Sequence, residues 1–214
     1  MDKDKLKLTV LLLIVVLPIS LATWVFGTRE NQGMTATNNK GALVIPVLDV
    51  TTLSLRNGAG EPAYLSFEEL TAGVSPEDYD PRPWQLLYLG TPECDDTCAE
   101  RLYFLRQIHV RLGREFERVE RVYVQVSDTP GPLPAATAAF ITEKQPDMKV
   151  VYAGASELKE KLQATVPADV DPVSLHYIYV ADPVGNVMMY FTPENTPEEI
   201  LSDLDTLLDN SSLG

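Results

Sequence analysis

The sequence predicts an α/β domain, a central mixed β-sheet flanked by helices, preceded by one N-terminal transmembrane helix. Three observations predict it. Strand-length apolar or alternating runs recur at Leu86–Leu89, Val119–Val126, Met148–Tyr152, His176–Val180 and Asn186–Phe191. Helical patterns fall between them, after Asp95, at Ala135–Lys144, at Ser156–Gln163 and from Thr196 to about Leu208, as when helices pack on both faces of a sheet. One charge-free apolar stretch, Leu8–Phe26, stands apart at the N-terminus.

That stretch is 19 residues long, enough to span a bilayer as a helix. Lys3, Lys5 and Lys7 precede it, which puts residues 1–7 in the cytoplasm and everything after Thr28 on the far side. Trp24 suits an interfacial anchor, and Pro18 is tolerated inside a membrane helix. A cleaved secretory signal is the competing reading; Ala22-Thr23-Trp24 makes a poor cleavage site, and the apolar core is long for one. The expected organisation is a cytoplasmic N-terminus (1–7), a membrane helix (8–26), a polar linker (27–40) and an exported domain (41–214).

Gly41–Pro46 begins the folded part. Leu53–Leu55 and Ala63–Leu65, around Asn57-Gly58-Ala59-Gly60, read as a hairpin. Ser66 with Glu69 is a capping-box pair opening a short helix. Gly73–Pro83, rich in Pro and Asp, is a loop. Leu86–Leu89 is a continuous apolar run, as in a central strand buried on both faces. Helix 135–144 stops before Pro146, and Ser156 is a plausible cap for the next helix. Asp182-Pro183-Val184-Gly185 is a tight turn joining the last two strands. Thr196 at the N-cap and Pro197 at the first helical position open the last helix.

The chain is organised around Trp84–His109, which holds its two cysteines, Cys94 and Cys98. Positions four apart at a helix start lie on one face, so the two thiols can close a disulfide or clamp one soft metal ion. The helix N-terminus favours a thiolate there, while Glu93, Asp95 and Asp96 raise thiol pKa values and favour a bound cation. A cysteine pair directly after the first core strand, with a closing hairpin and helix, is the thioredoxin-like layout. His109 lies roughly 20 Å up the helix from Cys94 and is discounted as a ligand. Met188, Met189, Tyr88, Tyr177 and Tyr179 read as sheet residues.

Four segments resemble the Sco/SenC family of membrane-anchored, thioredoxin-like proteins. They are the single N-terminal anchor, LLYLGTPECDDTC, VYVQVSDTPGPLPA and HYIYVADPVGNVMMYFTPENTPEEILSDLDTLL. The resemblance covers roughly Ala42 to Leu208, and the cysteine spacing and the D-P-x-G hairpin are its specific parts. It implies a copper-binding protein that assists assembly of the copper site of respiratory cytochrome c oxidase. By that resemblance Cys94 and Cys98 are ligands to Cu(I) or Cu(II), and His176 is the third. The partner is the oxidase subunit carrying a copper site, or its thiols. The location is the inner (cytoplasmic) membrane, single-pass, with the C-terminal domain periplasmic or in the intermembrane-space equivalent. Three departures mark a divergent branch. The family's proline after the first cysteine is Asp95 here, the family histidine position is Ser174 with His176 two residues on, and the Gly73–Pro83 loop is longer.

Two other functions stay open at this level. One is a metal-independent thiol–disulfide oxidoreductase with Cys94 and Cys98 as its catalytic pair. The other is a non-catalytic subunit or scaffold of a respiratory complex. A net charge of -14 argues against nucleic-acid binding, which needs a basic face. Walker, dinucleotide-fingerprint and nucleophile-elbow motifs are absent from the sequence.

Overall fold

The structure, a computed structural model, describes residues 12–21, 23, 39–75, 78, 79 and 81–212. The chain divides into two units, residues 1–39 and 40–214. In the first, residues 12–21 and 23 are helical, with large apolar side chains exposed. Ser20 Oγ and Thr23 Oγ1 donate back to the carbonyls of Val16 and Ile19. The expected span runs beyond these residues at both ends, and the expected cytoplasmic segment and most of the linker lie outside the described residues. Among the described residues no helix is long and apolar enough to cross a membrane.

In the second unit six described strands form one mixed sheet in the order β1-β6-β5-β2-β3-β4. They are β1 (Ala42–Asp49), β2 (Trp84–Gly90), β3 (Val119–Ser127), β4 (Lys149–Gly154), β5 (Ile178–Ala181) and β6 (Asn186–Phe191). Strand β2 pairs in parallel with β3 and antiparallel with β5. The helices are α1 (Phe67–Thr71), α2 (Asp96–Arg111), α3 (Ala135–Lys144), α4 (Ala155–Gln163) and α5 (Pro197–Asp209).

Every residue of β2 is buried, as its unbroken apolar run requires of a central strand. Its side chains alternate between two cores. Leu86 and Tyr88 join Leu102 and Leu105 of α2, Ile141 of α3 and Leu204 of α5. Leu87 and Leu89 face the other way, with Leu158 and Leu162 of α4 and with Leu53 and Leu55.

Helix starts follow the sequence closely. Ser66/Glu69 and Thr196/Glu199 both form reciprocal capping boxes. Three expectations need correction. Helix α4 is capped by Gly154 with no side-chain bond, because β4 runs straight into it and Ser156 already lies in its first turn. The expected hairpin does reverse at residues 57–60, with Asn57 N–H donating to Glu61 O and Ala63 N–H to Leu55 O, but its arms reduce to one antiparallel bridge, Arg56 to Pro62, and Leu53 of the first arm lies in a 3-10 turn (Val50–Leu53). The Asn57 side chain closes the turn, its Oδ1 accepting from Ala59 N–H and Glu61 N–H. Finally, His176 precedes β5 instead of opening it. Its φ of 67° is left-handed, which turns the chain before the ladder begins at Ile178.

Candidate functional site

The cysteine loop leaves the carboxyl end of β2. Thr91 Oγ1 donates to the Glu93 carbonyl (2.6 Å) and tightens the turn. Asp95 is the N-cap of α2, and its Oδ1 accepts the Cys98 N–H at 2.8 Å. The residue that departs from the family's proline therefore has a structural task in this chain. Cys94 is held from the other side, its N–H donating to Thr137 Oγ1 on α3 (3.3 Å). The two cysteines face each other with Cα atoms 5.2 Å apart and are joined by a disulfide. So short a loop gains little from closure entropy, so the bond is a poor staple. The two sulfurs differ in access. Cys98 is 2% exposed and Cys94 is half-buried.

Two buried tyrosines stand behind the pair. Tyr88 and Tyr123 are direct register partners across β2 and β3, with ring centroids 5.6 Å apart. Tyr123 donates its hydroxyl proton to the Thr91 carbonyl (2.6 Å), and its oxygen lies 3.9 Å from Cys98 Sγ. Gly90 permits this, because a Cβ there would land on the Tyr123 hydroxyl. The Tyr88 hydroxyl meets His176 Nδ1 at 2.6 Å. The backbone around His176 is tied to β2, with its N–H donating to Leu89 O and Tyr177 O accepting from Leu89 N–H, both at 2.8 Å. His176, Tyr88, Tyr123 and Cys98 thus form a continuous run of neighbours.

Burial and the charge of Asp95 hold both phenols well above their ordinary pKa, the Tyr123 ring adding to this at Tyr88, so both stay protonated. Burial pulls His176 below its usual value, against the pull of the Asp95 carboxylate. Its imidazole is neutral near pH 7, the form that can ligate a metal. Arg101 reaches across from α2 to the Thr192 carbonyl (3.1 Å), and its charge opposes that of Asp95 at Tyr88 and His176.

Cys94 and Cys98 are therefore brought together, and His176 reaches the same neighbourhood through Tyr88. With the cysteines joined, no group of three His, Cys, Asp or Glu side chains among the described residues is placed to hold a metal ion. His109 is buried elsewhere, stacked on Phe116 with ring centroids 3.9 Å apart. Met189 is core. Tyr88, read from the sequence only as a sheet residue, enters the site, as do Tyr123 and Thr137, which the sequence did not single out. The one hint was that Tyr123 alternates with Arg121 and Gln125, which puts polar groups on a buried face of β3.

The family model for a transmembrane-like, thioredoxin-like C-terminal domain matches residues 84–211, more than half of the chain. Among solved structures, copper-bound yeast Sco1 matches with a TM-score of 0.51 at 12% identity, covering 82% of this chain and 96% of that one. Copper-bound ScoI of Arabidopsis thaliana matches with a TM-score of 0.50 at 14% identity, over 80% of this chain and 99% of that one. Apo Sco1 from Thermus thermophilus gives 0.52 at 16% identity, over 80% and 98%. At such identities the likeness is one of fold. No curated protein matches the sequence.

Proposed function

Because the chain belongs to the family of transmembrane-like, thioredoxin-like C-terminal domains, we propose that it works as a Sco-like, membrane-anchored protein that binds copper and assists assembly of the copper site of cytochrome c oxidase. The observation that carries this reading is the Cys94–Cys98 pair at the start of α2, linked through Tyr88 to His176. The likeness of fold to copper-bound Sco structures supports it.

The donor set suits copper once the pair is reduced. Reduction turns one disulfide into two thiolates, soft ligands that select Cu(I), and imidazole suits copper in either oxidation state. His176 Nδ1 is taken by Tyr88, which leaves Nε2 as the donor atom. With copper on Nε2 the ring proton sits on Nδ1, and the Tyr88 oxygen accepts it; a phenol hydroxyl serves in either direction. The redox state of the pair therefore decides whether copper is held.

The anchor reading rests on the lysines before the apolar stretch and on the Ser20 and Thr23 hydroxyls, which are satisfied within their own helix as an apolar medium requires. It puts the N-terminus in the cytoplasm and the folded domain in the periplasm or its intermembrane-space equivalent. A second reading, metal-independent thiol–disulfide exchange, is favoured by the disulfide itself and by the unequal burial of its sulfurs.

Anaerobic Cu(I) titration of the reduced full chain in detergent, against a competing chelator, separates the two. One copper per chain is expected. Cys94→Ser/Cys98→Ser abolishes binding, and His176→Asn, which tolerates the left-handed backbone, weakens it by at least about tenfold. Failure of the wild type to compete for copper would sink the copper reading. Disulfide exchange that survives His176→Asn would then stand as the activity.

A further inference from the structure

Cleaving the Cys94–Cys98 bond raises a problem that the surroundings of Cys98 answer. A thiolate arriving from solvent meets the half-buried Cys94, not Cys98 at 2% exposure. Attack on Cys94 Sγ forms a mixed disulfide and breaks the internal bond. The electron pair of that bond stays on Cys98 Sγ, inside a core where a bare thiolate is poorly solvated. Its own backbone N–H is already given to Asp95, whose carboxylate adds charge of the same sign.

Tyr123 is the group that can answer. A disulfide sulfur carries no hydrogen, so the one proton in the 3.9 Å contact is that of the tyrosine. In the oxidised protein that proton goes to the Thr91 carbonyl. Thr91 is half-buried at the loop, so its carbonyl can exchange that bond for water. A thiolate is the stronger acceptor, because charge-assisted hydrogen bonds outweigh neutral ones.

We propose that Tyr123 is the hydrogen-bond donor that receives the leaving Cys98 thiolate, its hydroxyl turning from the Thr91 carbonyl to Cys98 Sγ when a dithiol reduces the pair. The proposal rests on reading Cys94 and Cys98 as working thiols. The reaction balances. The second thiolate of the dithiol attacks its own sulfur in the mixed disulfide and releases Cys94. The dithiol leaves as a disulfide; one of its two protons passes through solvent to Cys94 Sγ and the other is released, so that Cys98 stays a thiolate and Tyr123 donates to it while keeping its own proton. Tyr123 thereby favours the reduced form at equilibrium.

The test equilibrates the full chain in detergent, without copper, in mixtures of reduced and oxidised dithiothreitol. The reduced fraction is read by thiol alkylation and mass. Tyr123→Phe is expected to lower the equilibrium constant for reduction by about tenfold, which is about 30 mV for a two-electron couple. Tyr179→Phe removes a similarly buried hydroxyl that donates to the Pro172 carbonyl in the other core, and is expected to change the constant by less than about twofold. A Tyr123→Phe constant equal to or above that of wild type overturns the proposal, as does an equal fall in Tyr179→Phe. If Tyr123→Phe does not fold, the infrared difference spectrum of Tyr88→Phe carrying labelled tyrosine decides. A tyrosine C–O band that shifts on reduction supports the proposal, and an unmoved band overturns it. Since no copper is present, a failed copper titration leaves this result standing, and an unchanged constant leaves the copper reading standing.

Discussion

His109 sits in a buried polar knot that makes the fold sensitive to acid. Arg121 has only donors to give, and its Nε points at His109 Nδ1 (3.2 Å), so Nδ1 must be the unprotonated nitrogen. Nε2–H then donates to the Phe116 carbonyl at 2.9 Å. Arg121 completes its own bonds with Gln145 Oε1 and Pro146 O, both at 2.7 Å. A proton on Nδ1 would face the guanidinium, and burial together with that charge lowers the His109 pKa. The unfolded chain therefore takes up a proton as pH falls below about 6.5, while the folded protein does not. Stability is level above that pH and falls below it, by up to about 1.4 kcal/mol per pH unit for this one group. Urea unfolding at stepped pH checks this, and His109→Gln, which carries no titrating ring, is expected to flatten the slope. His176 also titrates low, so the slope that His109→Gln removes is the part belonging to the knot.

At the scale of elements, the starts of α1, α2 and α5 were legible because their caps are local, whereas Ser156 proved to lie inside α4. Ser66/Glu69, Thr196/Pro197/Glu199 and the start of α2 beside the cysteines all formed where their spacing indicated. His176 was not legible. The alternation of HYIYV continues the strand pattern upstream of Ile178, but one left-handed residue turns the chain out of it. The entry of the chain into the domain rests on a contact that sequence reading missed. Asp203 of α5, 6% exposed, accepts the N–H groups of Lys40 and Gly41, both at 2.8 Å. These partners are 163 and 162 residues away in sequence, so no local pattern announces them. Gly41 packs so closely on Phe191 and Met189 that a side chain has no room there. Asp203→Ala is expected to cost about 2–4 kcal/mol, from two lost charge-assisted bonds, in denaturant unfolding. An effect below about 0.5 kcal/mol, the range of ordinary surface changes, would show that β1 is held without it.

For the molecule as a whole, the order of strands and helices and the cysteine pair were readable, since periodicity and spacing carry them. The surroundings of the pair were not. Tyr88 and Tyr123 meet only because β2 and β3 pair in parallel at that register, and His176 reaches Tyr88 only because its loop is pinned to the end of β2. The fold thus gathers three elements far apart in sequence at one end of the sheet, with two sulfurs of unequal access and one neutral imidazole. As proposed, this gathering holds copper through Cys94, Cys98 and His176. X-ray absorption on the reduced, Cu(I)-loaded full chain is the decisive measurement. Two sulfur scatterers and one imidazole nitrogen are expected around copper, with the imidazole signal gone in His176→Asn and both sulfurs kept. A copper shell with one sulfur or none would contradict the proposal.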